Sequence, residues 1–144
     1  TAYEIPKRDW SSDVCSSDLS AYIRNLGKIT GGVNAESFRG FAAGEVLFVG
    51  ASGSHEWDDQ RGNGPWSLTF KFVASPNCGT GKTKPALTVG DITGISKNGH
   101  EYLWIRYAKV DDTSKGELAR RPVAVYVDKV YDDVDFSTLG IGVT

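Results

Sequence analysis

The sequence predicts a mostly β fold, an antiparallel sandwich or partial barrel of about five to seven strands with one short helix. Three observations predict it. Residues 101–110 and 122–131 alternate between two faces with period two, and residues 66–74 do so most cleanly. Seventeen glycines, several placed between these runs, suit strands joined by tight turns. The 4 Trp, 6 Tyr and 6 Phe of the 144 residues supply large apolar side chains for a core that a chain of this length can bury. The chain reads as a single β-rich domain, 1–144, without an internal repeat or a domain boundary.

The longest pattern spans Glu101 to Tyr131. In its first half Leu103, Ile105 and Tyr107 fall on one face and Tyr102, Trp104 and Arg106 on the other. In its second half Val123, Val125 and Val127 share a face. The two halves predict an antiparallel pair, joined by a polar segment, 111–120, with room for one helical turn. Upstream, Tyr3 and Ile5 suit an edge strand ended by Pro6. Apolar residues at 22, 23, 26 and 29 predict a short amphipathic helix over 20–29, capped by Asp18 or Ser20 and ended by Gly31 and Gly32. Residues 34–38 suit another helical turn, with Phe38 and Phe41 as core anchors. Glu45 to Ala51 is nearly continuous in apolar residues and predicts a strand buried on both faces, followed by a glycine-rich loop over 50–65. Trp66, Leu68, Phe70 and Phe72 share one face of the next strand. After a loop over 75–85 come two short strand candidates, 87–89 and 92–95, and an Asn98-Gly99 hairpin turn. Phe136, Leu139 and Ile141 suit a tail laid against the sheet.

Residues Asp9 to Leu19 lack periodicity and are dense in Ser and Asp. They match the translated end of a widely used short-read sequencing adapter, and read as an artefactual insert. Cys15, Trp10 and the three aspartates then carry no functional argument. Without Asp9, Asp13 and Asp18 the net charge moves from −2 to +1, and Cys78 is left without a disulfide partner. A near-neutral chain predicts neither strong attraction to nucleic acid nor acidic-tail behaviour. No apolar run approaches the roughly 20 residues of a membrane helix, and no leader pattern marks a signal peptide. The absence of Met, even at position 1, predicts a fragment of a longer protein.

The candidate chemistry is weak. Cys78 to Thr83 carries a Gly-Thr-Gly-Lys-Thr string, but Pro76 replaces the first glycine of a phosphate loop, and Pro85 interrupts the helix the loop must open. His55, Glu56, Asp58 and Asp59 gather potential ligands for a hard cation, though in a glycine-rich loop without metal-site spacing. Ser52 and Ser54 lack a nucleophile elbow and read as turn residues. Cys78 lies near Lys82 and Lys84 in the sequence but has no evident His partner, and reads as an incidental loop thiol. No catalytic, cofactor or metal residues are assigned. The one candidate site is an interaction face of Tyr102, Trp104, Arg106 and Tyr126, a combination suited to carbohydrate, single-stranded nucleic acid or protein. The bland alternative is a face covered by the 20–29 helix or by the rest of a larger protein.

Four strings, Phe38 to Gly53, Trp66 to Asn77, Leu87 to Tyr107 and Arg121 to Gly142, together resemble the C-terminal part of a family of uncharacterised bacterial proteins related to phage virion proteins. Thr1 to Lys7 resembles the segment just before it. In that family the loop after Ala74 is shorter, which makes 78–86 a local insertion. The resemblance implies a non-catalytic virion structural subunit of tail, baseplate or head–tail junction, found in the virion or, during assembly, in the bacterial cytoplasm. It implies other virion subunits as partners, in a homo-oligomeric assembly, with no cofactor, membrane or nucleic acid. A small ligand-binding module, with carbohydrate its leading ligand, is the competing reading.

Overall fold

The computed structural model describes residues 2–6, 16–55, 66–112 and 117–144. Those residues form nine strands, one α-helix and one 3₁₀ turn, in open sheets with no closed barrel among them. The mostly β class with a single α-helix is therefore the one the sequence predicts. Strands of only two residues raise the strand number. The chain divides into two compact units: Thr1–Ala74 with Asp132–Thr144, and Ser75–Tyr131.

The first unit contains β1 (Ala2–Pro6), α1 (Ser16–Ile29), β2 (Val33–Asn34), β3 (Val46–His55), β4 (Trp66–Ala74), β9 (Asp133–Val134) and the 3₁₀ turn Phe136–Leu139. Its sheet runs β1-β4-β3-β2-β9, antiparallel except for the parallel pair β2–β9. Helix α1 starts at Ser16, four residues before the predicted start. The end of the adapter-like stretch thus lies in the helix, and neither Asp18 nor Ser20 is its cap. Its C-terminus is as predicted. Gly31 takes a left-handed φ of 82°, and Gly32 admits no side chain, because a Cβ would lie 2.5 Å from both methyls of Val134.

The core belongs to this unit. Leu26 and Ile29 of α1 cover Phe48, Phe70 and Phe72 of the sheet, and Phe38, Val46, Phe136 and Leu139 complete the cluster. Phe48 and Phe72 pair across β3 and β4 with centroids 5.4 Å apart, and Phe136 meets Phe38 edge-on at 5.0 Å. Complete burial of each such side chain stabilises the fold by about 1.5–3 kcal/mol. The C-terminal tail thus supplies core rather than cover.

Three expectations are corrected here. β3 is buried on one face only. Val49 is an extra residue at a bulge between Phe48 and Gly50 and is 47% exposed. The same strand runs on to His55, so Gly50 to His55, Ser52 and Ser54 included, are strand and not loop. Residues 34–38 form no helical turn. Asn34 is wholly buried in β2, its amide N–H groups donating to the carbonyls of Glu36 and Ala42 at 2.6 and 2.9 Å and its side-chain oxygen accepting from the Val46 N–H at 2.9 Å. Those bonds fix the 35–45 loop without a helix. Glu45, also buried, accepts from the Ala42 N–H.

The second unit holds β5 (Leu87–Val89), β6 (Ile92–Ile95), β7 (Tyr102–Asp112) and β8 (Glu117–Asp128), as two separate antiparallel pairs, β5–β6 and β7–β8. The segment predicted as a polar 111–120 loop is strand at both ends, and only 113–116 lie outside the described residues. Asn98-Gly99 makes a turn, closed by the Glu101 N–H on the Asn98 carbonyl at 2.8 Å. It is not a hairpin, because the strands on either side of it pair elsewhere. A hairpin turn lies instead at Gly90-Asp91, with Gly90 at φ 59° between the paired Val89 and Ile92.

Candidate interaction face

The β7–β8 pairing brings the four predicted residues together. Trp104 lies opposite Tyr126, Tyr102 opposite Asp128 and Arg106 opposite Ala124. Directly opposed residues of an antiparallel pair share a face, so Tyr102, Trp104, Arg106 and Tyr126 form one patch. All four are exposed: Tyr102 by 59%, Trp104 by 41% and Tyr126 by 39%. Helix α1, whose Leu26 and Ile29 join the core cluster of the first unit, belongs to the other unit.

The patch is ordered. The rings of Trp104 and Tyr126 stack with centroids 4.2 Å apart and planes 19° from parallel. The Trp104 indole N–H donates to the Asp128 carboxylate at 2.6 Å. Stacking plus a charge-assisted hydrogen bond holds the indole in one orientation. Asp128 escapes a reading that looks only for aromatics, yet it sits two residues after Tyr126, on the same face by period two.

The opposite face departs from strict alternation. Leu103, Ile105, Val125 and Val127 are half-buried as paired, but the register shifts between Arg106 and Tyr107, which pair with Ala124 and Pro122. Val123 is the extra residue of this bulge, and both it and Tyr107 are exposed. They do not share the half-burial of Leu103, Ile105, Val125 and Val127, with which the alternation groups them. Among the described residues, every fully buried hydrophobic side chain lies in the first unit. The described hydrophobic side chains of the second unit are half-buried or exposed.

The remaining candidates are placed as follows. Glu56, Asp58 and Asp59 lie outside the described residues, while His55 stacks on Trp66 at 4.6 Å. No group of three or more His, Cys, Asp or Glu suited to a metal is found among the described residues. No helix begins at Lys82-Thr83. Residues 78–84 are instead tied by backbone bonds from Cys78 to Lys97 and from Gly79 to Lys84, and the Lys82 ammonium donates to the Asn98 side chain. Cys78 is a free, half-exposed thiol. Among the described residues no helix is long and apolar enough to cross a membrane. No family model, curated protein or solved structure matches the chain.

Proposed function

We propose that this chain is a non-catalytic structural subunit of a phage-type virion, of the tail, baseplate or head–tail region, that acts by protein–protein contact through the β7–β8 hairpin. The observation that carries the reading is the hairpin's exposed and ordered aromatic face. An 11-residue and a 12-residue strand pair without a fully buried apolar residue of the described ones, while Tyr102, Trp104 and Tyr126 stand in solvent. An isolated two-stranded hairpin is marginal in water, and exposed Tyr, Trp and Arg are the residues that anchor protein interfaces. The virion setting rests on the resemblance of the four strings described above.

Carbohydrate binding is the competing reading. Sugars lie flat on broad open ring platforms, whereas Trp104 and Tyr126 each turn one face to the other and leave one face per ring. That arrangement favours a protein contact, which can use a single ring face together with the ring edges. Particles from a host carrying the gene, labelled with gold-tagged antibody to this chain and viewed by electron microscopy, test the proposal. Label at a fixed place on particles supports it. Label confined to the soluble fraction, with glycan-array binding lost in Trp104→Ala, overturns it.

A further inference from the structure

The geometry points to a second copy of this chain as the occupant of the open edge of β7, paired antiparallel about Ile105. This rests on the hairpin being an interaction element, and names its partner. Three features argue for it. β7 bonds to β8 alone, so the outer edge of an 11-residue strand offers its backbone groups to no strand among the described residues. Such an edge is a template for another strand. Next, Tyr126 covers the Trp104 face on the β8 side. The other face of the indole therefore turns toward the open edge, where an arriving strand would place a side chain.

The third feature is the charge order along β7. With Ile105 opposite Ile105 of the second copy, Trp104 meets Arg106 of the second copy, a cation over the free indole face. Leu103 meets Tyr107 of the second copy, and Glu101, the residue before β7 whose carboxylate accepts from the Asn98 N–H, comes opposite Lys109 of the second copy. Two-fold symmetry makes each contact twice. Moving the centre by one residue, to Arg106, sets two guanidiniums opposite each other, so the sequence selects among registers as well as permitting pairing.

The test uses the full chain with Cys15→Ser and Cys78→Ser. Sedimentation equilibrium across roughly 1 to 100 μM should show a concentration-dependent dimer. Arg106→Glu should weaken it about tenfold or more by replacing a cation–π contact with repulsion, and leave the melting temperature of the dilute, monomeric chain unchanged, since Arg106 is exposed. A short thiol cross-linker should join Ile105→Cys to itself and leave Leu103→Cys unjoined. A monomer at every concentration, or a dimer indifferent to Arg106→Glu, overturns the inference. Gold label on particles together with a monomeric chain would sink the pairing and leave the virion reading intact. A dimer with no label on particles would do the reverse.

Discussion

Trp104 stacks on Tyr126 across the β7–β8 ladder, 4.2 Å between ring centroids and 19° from parallel. The pair is built by register, since the two residues are direct cross-strand neighbours. A double-mutant cycle of Trp104→Ala and Tyr126→Ala should give a coupling of about 0.5–1.5 kcal/mol in denaturant melts. A coupling near zero would mean the rings do not stack in solution.

Phe70 and Thr69 are neighbours on opposite faces of β4, one wholly buried and the other half-buried. Phe70→Ala should cost roughly 3–5 kcal/mol, because it opens a cavity against Phe48 and α1. Thr69→Ala should cost less than about 1 kcal/mol. Denaturant melts that reverse the order would show the strand one residue out of register.

The partners of Phe70 mark what the sequence reveals and what it hides. Period two was enough to place Phe70 and Phe72 inward and to gather Tyr102, Trp104, Arg106 and Tyr126 on one face. What packs on that face was not legible in the strand pattern: Leu26 and Ile29 of the helix, with Phe38, Phe136 and Leu139, are in the Phe70 cluster. Bulges at Val49 and Val123 were illegible, because one inserted residue reverses every later side chain while leaving composition unchanged. Asn34 was illegible for another reason. A buried amide is specified by backbone groups eight and twelve residues away, which no local pattern records. The Gly90-Asp91 turn did carry a signal, a glycine at the first central position between two apolar runs.

Asn34 holds β2, β3 and the intervening loop through three side-chain hydrogen bonds. Asn34→Ala leaves the Val46 N–H without its partner in a buried bond, whereas the carbonyls of Glu36 and Ala42 belong to exposed residues that water can reach. The variant should lose about 1–3 kcal/mol of stability in urea melts. Asn34→Asp should also destabilise, since a carboxylate sets an acceptor against the Glu36 and Ala42 carbonyls. A near-native Asn34→Ala would show the loop is held some other way.

Asp135 caps the 3₁₀ turn, its carboxylate accepting from the Ser137 N–H at 2.8 Å. Hydrogen bonding from the Ser137 side chain and then from its backbone holds the Asp135 pKa below its ordinary value of 3.8. A carboxyl whose pKa is depressed on folding stabilises the fold above its unfolded pKa and stops doing so as pH falls through the folded one. Thermal melts should therefore show wild type losing more stability than Asp135→Asn between pH 5 and pH 2, about the window of that titration. Parallel profiles for the two proteins would remove the carboxylate from the cap.

Hydroxyl-radical footprinting read by mass spectrometry tests the interaction face most directly. In the isolated protein Trp104, Tyr102 and Tyr126 should oxidise readily, as their exposure dictates. In purified particles carrying the chain the same three should be protected about tenfold or more, the loss of solvent that a packed interface core imposes. Equal oxidation of the three in the free chain and in the particles would contradict a docking role for the β7–β8 hairpin.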